Sequence, residues 1–115
     1  MRCQVHVQAS TGLAKLPELV SDTLALYTIM EYSLQANEVT YIETGIKLRF
    51  PDEYNAIFYP NPNLASRGVY MSPSLVPSGS YISFIARAIE QVHLAMHAPT
   101  GYVVFNKKER ITLYS

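Results

Sequence analysis

One cysteine, no tryptophan and few charges mark this sequence. The single Cys3 excludes an internal disulfide framework and any zinc site built on several cysteines. Charged residues make up 16% of the chain, against about 25% in an average domain. Nine basic side chains balance nine acidic ones, and the isoelectric point is near 6.8. A partner gripped through its phosphate backbone calls for a basic excess, so this balance argues against nucleic acid. No apolar run approaches the roughly 18 residues of a membrane span, and the N-terminus lacks the basic-then-apolar form of a leader. There is no glycine-rich phosphate loop, no nucleophile elbow and no pair of placed carboxylates. The expectation is a soluble, cytoplasmic domain with no membrane partner.

What is present is a chain of 115 residues, 49% hydrophobic, which is enough for one domain over 1–115 with a real core. It reads as strands from end to end. Met1–Gln8 alternates, with Cys3, Val5 and Val7 on one face and Arg2, Gln4, His6 and Gln8 on the other. Ser10–Pro17 reads as a loop. Within Leu16–Leu26 the apolar spacing is near-helical, yet Thr23 and the following Tyr27, Thr28 and Ile29 favour a strand from about Leu24. Glu38–Thr44 and Ile46–Phe50 alternate again, with Gly45 at a bend or bulge between them.

Pro51 and Asp52 stop that strand, Tyr54–Tyr59 starts another, and Pro60-Asn61-Pro62-Asn63 reads as a turn. Gly68–Met71 is a short strand, Ser72–Ser80 a loop or hairpin, and Tyr81–Ile89 the longest β-rich run. Tyr102–Phe105 and Arg110–Tyr114 close the chain around a polar turn at Asn106–Glu109. Short strands with turn signals every eight to twelve residues predict an all-β sandwich, barrel or jelly roll.

Groups able to carry chemistry are thin. His93 and His97 lie four apart, a spacing that shares a metal if the stretch is helical. The glutamate of the zinc-protease motif is missing beside them, and no third ligand follows. Cys3 needs an adjacent base to be a nucleophile, and its alternation with Val5 and Val7 predicts a buried structural thiol instead. Lys107-Lys108-Glu109-Arg110 reads as a solvated turn. The nine tyrosines sit mostly in strands, where packing in the core or against another subunit is the simplest use.

The order of landmarks resembles the trimeric dUTPase family. Ala25-Leu26-Tyr27 falls where that family has Asp-Leu-Tyr, after a Lys15-Leu16-Pro17 loop. Glu43-Thr44-Gly45-Ile46-Lys47-Leu48 and Phe50-Pro51-Asp52-Glu53-Tyr54 look like its Pro-Thr-Gly-Leu-x-Leu and Leu-Pro-x-Gly-Tyr. Pro60-Asn61-Pro62-Asn63-Leu64-Ala65 stands at Pro-Arg-Ser-Gly-Leu-Ala, and Leu75-Val76-Pro77 at Val-Ile-Asp. Glu109-Arg110-Ile111 resembles Asp-Arg-Ile, after an insertion around Glu90–Gly101.

The resemblance implies a distorted jelly roll, the dUTPase-like β-clip barrel, in a family that assembles as homotrimers and cleaves dUTP to dUMP. It also implies lost chemistry. Ala25 stands at the family's magnesium-holding aspartate, and Asn61 and Pro62 stand at its phosphate-contacting arginine and serine. Pro77 replaces the aspartate that orients water, Ser80 replaces the tyrosine beneath the deoxyribose, and the glycine-rich C-terminal arm is absent. The sequence therefore names no catalytic residue, no metal and no cofactor. It predicts a non-catalytic relative, of viral or phage type, that forms a homotrimer and acts through a protein partner or as a structural trimer. The alternative is a non-hydrolysing binder holding a nucleotide near Asn61, Asn63, Leu64, Leu75, Val76 and Ser78. An active pyrophosphatase is the least favoured reading.

Overall fold

A computed structural model describes residues 2–115. The N-terminal half runs β1 (His6–Ala9), β2 (Glu18–Val20), β3 (Thr23–Tyr27), β4 (Tyr32–Leu34), β5 (Val39–Arg49) and β6 (Tyr54–Pro60). After a short helix α1 (Pro62–Ser66) come β7 (Val69–Met71), β8 (Ser74–Val76), β9 (Tyr81–Ala88), β10 (Val92–Leu94) and β11 (Pro99–Lys107). They form three sheets, ordered β1-β5-β9-β7, β2-β3-β11-β6-β8 and β10-β4, with antiparallel pairing between neighbouring strands. The fold is all-β as expected, but the sheets stay open at their edges and no barrel closes.

The strongest sequence patterns became the central strands. β9 alternates without fault, burying Ile82, Phe84, Ala86 and Ala88 and turning Tyr81, Ser83, Ile85 and Arg87 outward. β5 is one strand where two were expected. Gly45 lies inside it at φ 68°, where the register against β9 shifts. A Cβ there would sit 2.5 Å from Ile29 Cδ1, so only glycine fits this bulge. The Thr44 hydroxyl repairs the break by donating to the Ile82 carbonyl at 2.9 Å and accepting from the Ile46 N–H.

One core lies between the two larger sheets. Phe58 of β6 stacks on Phe84 of β9, ring centroids 3.6 Å apart, among Leu26, Ile46, Leu48 and Val103. A second cluster joins Leu34, Ile42, Leu64, Val69, Val92 and Leu94, so α1 and the small β10-β4 sheet close one end of the molecule. β11 runs between β3 and β6, and at Gly101 it passes hard against Phe58 and the Tyr59 carbonyl.

Several expectations are corrected. Met1 lies outside the described residues, and the first strand begins only at His6, although Val5 and Ala9 still pack on the core. Cys3 is half-buried rather than buried. β2 was not expected. It pairs with β3 across Ser21 and Asp22, both at positive φ, the geometry of a type I′ hairpin turn written without glycine. Asn61–Asn63 is a helix start, not a plain turn. The Ser72–Ser80 loop contains β8, which pairs with β6. The segment around Glu90–Gly101 is not helical: it holds β10 and the start of β11, and its Val92 and Leu94 join the second core cluster.

Arg110–Tyr114 is not a strand. β11 already has a neighbour on each side, and the chain leaves it at Lys108, whose N–H donates to the Glu53 carbonyl. Beyond that point Ile111, Leu113 and Tyr114 stand in solvent.

Gly101→Ala tests the crossing. A methyl group there meets Phe58 ring carbons at 2.7 Å, and overpacking of this kind costs about 1–3 kcal/mol. The variant is expected to unfold at lower denaturant concentration with an unchanged slope, measured by circular dichroism.

Candidate functional site

Several of the residues that the sequence singled out line two separate clefts. Asn61 precedes α1 with extended backbone, and its side-chain oxygen accepts the Asn63 N–H at 3.0 Å. Pro62 occupies the first helical turn, where its missing N–H has no helical carbonyl to meet. The Asn61 N–H donates to the Thr100 carbonyl, which ties the helix start to β11. This places Asn61 and Pro62 beside Ala25, Tyr27 and Tyr102 around a cleft of about 250 Å³. Three positions that the family resemblance marks for metal and phosphate contact thus converge in space. No Asp, Glu, Lys, Arg or His lines that cleft. Against the Tyr27 side of the cleft, the Lys15 ammonium lies 4.0 Å above the Tyr27 ring and 3.3 Å from Glu18. Burial, with the Glu18 charge next, pushes the Tyr27 phenol up.

Leu75, Val76, Pro77 and Ser78 line a separate cleft of about 500 Å³, with Phe50, Tyr54, Asp52 and Lys108. The Ser78 hydroxyl is already committed, accepting from the Phe50 N–H at 3.0 Å and lying 3.4 Å from its carbonyl. Since Val76 pairs with Ala56 on β6 and Asn61 follows the far end of that strand, about 16 Å of extended chain separates the two places. The single pocket expected from Asn61, Asn63, Leu64, Leu75, Val76 and Ser78 therefore does not form within one chain. Asn63 is exposed on α1, Leu64 is buried in the second core cluster, and Ser80 is exposed outside both clefts.

The histidines separate as well. His93 sits on β10 with Nε2 3.5 Å from an exposed Glu31 carboxylate, while His97 sits at φ 61° with Nε2 2.7 Å from the Leu13 carbonyl. Without a helix they share no face. Among the described residues, no group of three or more His, Cys, Asp or Glu could hold a metal ion. Sequence reasoning passed over a third feature, the outward half of the β5-β9-β7 sheet, where Tyr41, Tyr70 and Ile85 are exposed. The signal was the same β9 alternation, since its solvent side holds Tyr81 and Ile85.

No protein-family model matches the sequence, and no curated protein matches it. Solved structures do. A mutant dUTPase from phage phi11 of S. aureus, described for its coordination of a structural Mg(II) ion, aligns with a TM-score of 0.87 at 9% identity, over 97% of this chain and 95% of that one. This chain has a dUTPase-like fold. A second phi11 dUTPase structure, described for a species-specific insert, gives 0.83 at 10% identity over 97% and 95% of the two chains. The Staphylococcus bacteriophage 80alpha dUTPase with dUpNHpp, from work on phage dUTPases controlling transfer of virulence genes by a G protein-like mechanism, gives 0.81 at 10% identity, over 97% of this chain and 87% of its own. At such identities the dUTPase-like fold is established, and each site must be judged on its own side chains.

Cys3 offers a direct check of local chemistry. Burial, then the Glu53 charge, raises its thiol above the ordinary 9.0. Less thiolate is present at neutral pH, so the thiol is expected to react with a disulfide reagent more slowly than free cysteine. Its rate should reach half-maximum only above pH 9.0, read by absorbance across a pH series; a midpoint below that value contradicts the assignment.

Proposed function

We propose that this chain is a non-catalytic, viral or phage dUTPase-like protein that assembles as a homotrimer and acts through contact with another protein. The observation that carries the reading is the cleft at Ala25, Asn61 and Pro62, where no charged side chain lines the wall. Phosphoryl transfer requires a metal ligand, cationic clamps on the phosphates and a positioned water. Alanine and proline supply none of these, and the Asn61 oxygen is spent on capping α1. A magnesium nucleotide does not fit such a donor set. Pro77 at the position of the water-orienting group has neither a titratable side chain nor a backbone N–H.

The trimer rests on fold and surface together. Tyr41, Tyr81, Tyr102 and Tyr114 are exposed in the single chain, as is Leu19. Apolar surface of this extent on a chain with 16% charged residues favours association, and cyclic closure keeps it from propagating. Three copies would also present a partner with three equivalent surfaces, which raises avidity. The 80alpha dUTPase, described as controlling transfer of virulence genes, gives a regulatory precedent for the fold. The host cytoplasm, or the virion, is the compartment proposed; among the described residues no helix is long and apolar enough to cross a membrane.

Three measurements test this. Purified protein with dUTP and magnesium is expected to release no pyrophosphate, and millimolar dUTP is expected to leave the melting temperature unchanged. A ligand at 100 times its dissociation constant would add about 2.7 kcal/mol of stability, so a clear shift turns the reading toward a nucleotide binder. Light scattering is expected to give three times the 12.9 kDa chain mass; a monomer mass at micromolar concentration defeats the assembly.

A further inference from the structure

A third and larger groove, of about 680 Å³, lies on the outer face of the β5-β9-β7 sheet and shares only Leu75 with the clefts described above. Its floor is set by register, because Arg87 stands between Val39 of β5 and Tyr70 of β7. Ile85 is the next outward residue along β9, and Leu75 of β8 contributes to the opposite wall. Val39, Tyr70, Leu75 and Ile85 are each more than half exposed, from 52% to 70%. Apolar side chains at that exposure are costly to leave against water.

The polar side chains of this groove have no partners among the described residues. Arg87 is the one charged side chain in the lining, and it makes no ion pair or side-chain hydrogen bond among the described residues. The hydroxyls of Ser72, Ser74 and Ser83 are likewise uncommitted to side-chain bonds. No Asp or Glu lines the groove; Glu43, paired with Ser83 at one end, lies outside it. The wall carries two sheet edges, since β7 ends one large sheet and β8 ends the other. Edge strands offer main-chain N–H and C=O groups to an added strand.

We propose that this groove binds an extended, apolar peptide segment of a partner protein with a carboxylate side chain seated on Arg87. Alternate apolar side chains of the segment would cover Ile85, Tyr70 and Leu75, its carboxylate would pair with the guanidinium, and its backbone would run along the β7–β8 edge. The proposal deepens the protein-contact reading given above and rests on it.

Fluorescence anisotropy on the assembled full chain tests it with three labelled peptides of one frame, alternating valine and threonine, that carry Glu, Gln or Lys at the central position. The Glu peptide is expected to bind at least tenfold tighter than the Lys peptide. Arg87→Glu is expected to reverse that order, with the melting temperature retained because the side chain is exposed. Ile85→Ser should weaken every peptide, and Lys108→Glu, in the separate cleft, should change none. Binding blind to charge, or no binding at millimolar peptide, overturns the proposal. A lower oligomer mass in Arg87→Glu or Ile85→Ser also overturns it, because the groove is then covered by a second copy. Hydrolysis of dUTP alongside Arg87-dependent peptide binding overturns the non-catalytic reading and leaves the groove standing.

Discussion

The contact between Phe58 and Phe84 governs the rest of the structure. It is the place where the two large sheets meet ring on ring, and both rings are all but fully removed from water. Burying an aromatic pair contributes several kcal/mol through area alone, with about 0.5–1.5 kcal/mol more from ring geometry. That position also constrains β11, because Gly101 has to pass Phe58 without a side chain. From there β11 sets the register of β3 on one side and β6 on the other. The cleft beside Ala25 and Asn61 is a consequence of that crossing, since Gly101 and Tyr102 form part of its wall.

Breaks in the ladders are healed by threonine hydroxyls. Thr28, Thr44 and Thr100 are fully buried, and each donates its hydroxyl to a backbone carbonyl. Thr28 donates to the Ala95 carbonyl and accepts from the Ala98 N–H, which holds the chain between β10 and β11 against the end of β3. No buried side-chain nitrogen or oxygen among the described residues lacks a partner. Because an unmade buried hydrogen bond costs about 1–3 kcal/mol, these threonines allow long strands to bend without that penalty.

Strands with their own periodicity were legible in the sequence. β9 and β6 declare themselves by alternation, and Gly45 announces its bulge because no other residue tolerates that φ among such close neighbours. The elements that escaped detection depend on partners distant in the chain. β2 and β10 are three residues each, too short for a period, and exist because β3 and β4 lie beside them. Arg110–Tyr114 failed in the opposite sense, since its alternation is sound but no free strand edge of the chain pairs with it. Site residues were legible as substitutions but not as positions. Ala25, Asn61 and Pro62 come together because β3, β11 and the start of α1 are adjacent, which no local pattern encodes.

The residues standing where chemistry would be expected have structural work of their own. Asn61 caps a helix and hydrogen-bonds β11 through its N–H. Pro62 presets the first helical turn, and Ser78 clamps the Phe50 backbone where the chain bends from β5 toward β6. A charged or metal-binding side chain at any of these places would have to give up that local role. The same fold meanwhile leaves apolar side chains exposed on the face of β9, beside a guanidinium that makes no ion pair among the described residues. A scaffold can lose a metal site without losing its core, because the core lies between the sheets and the clefts lie at their ends. In this chain the surface proposed to bind a partner is the outer sheet face.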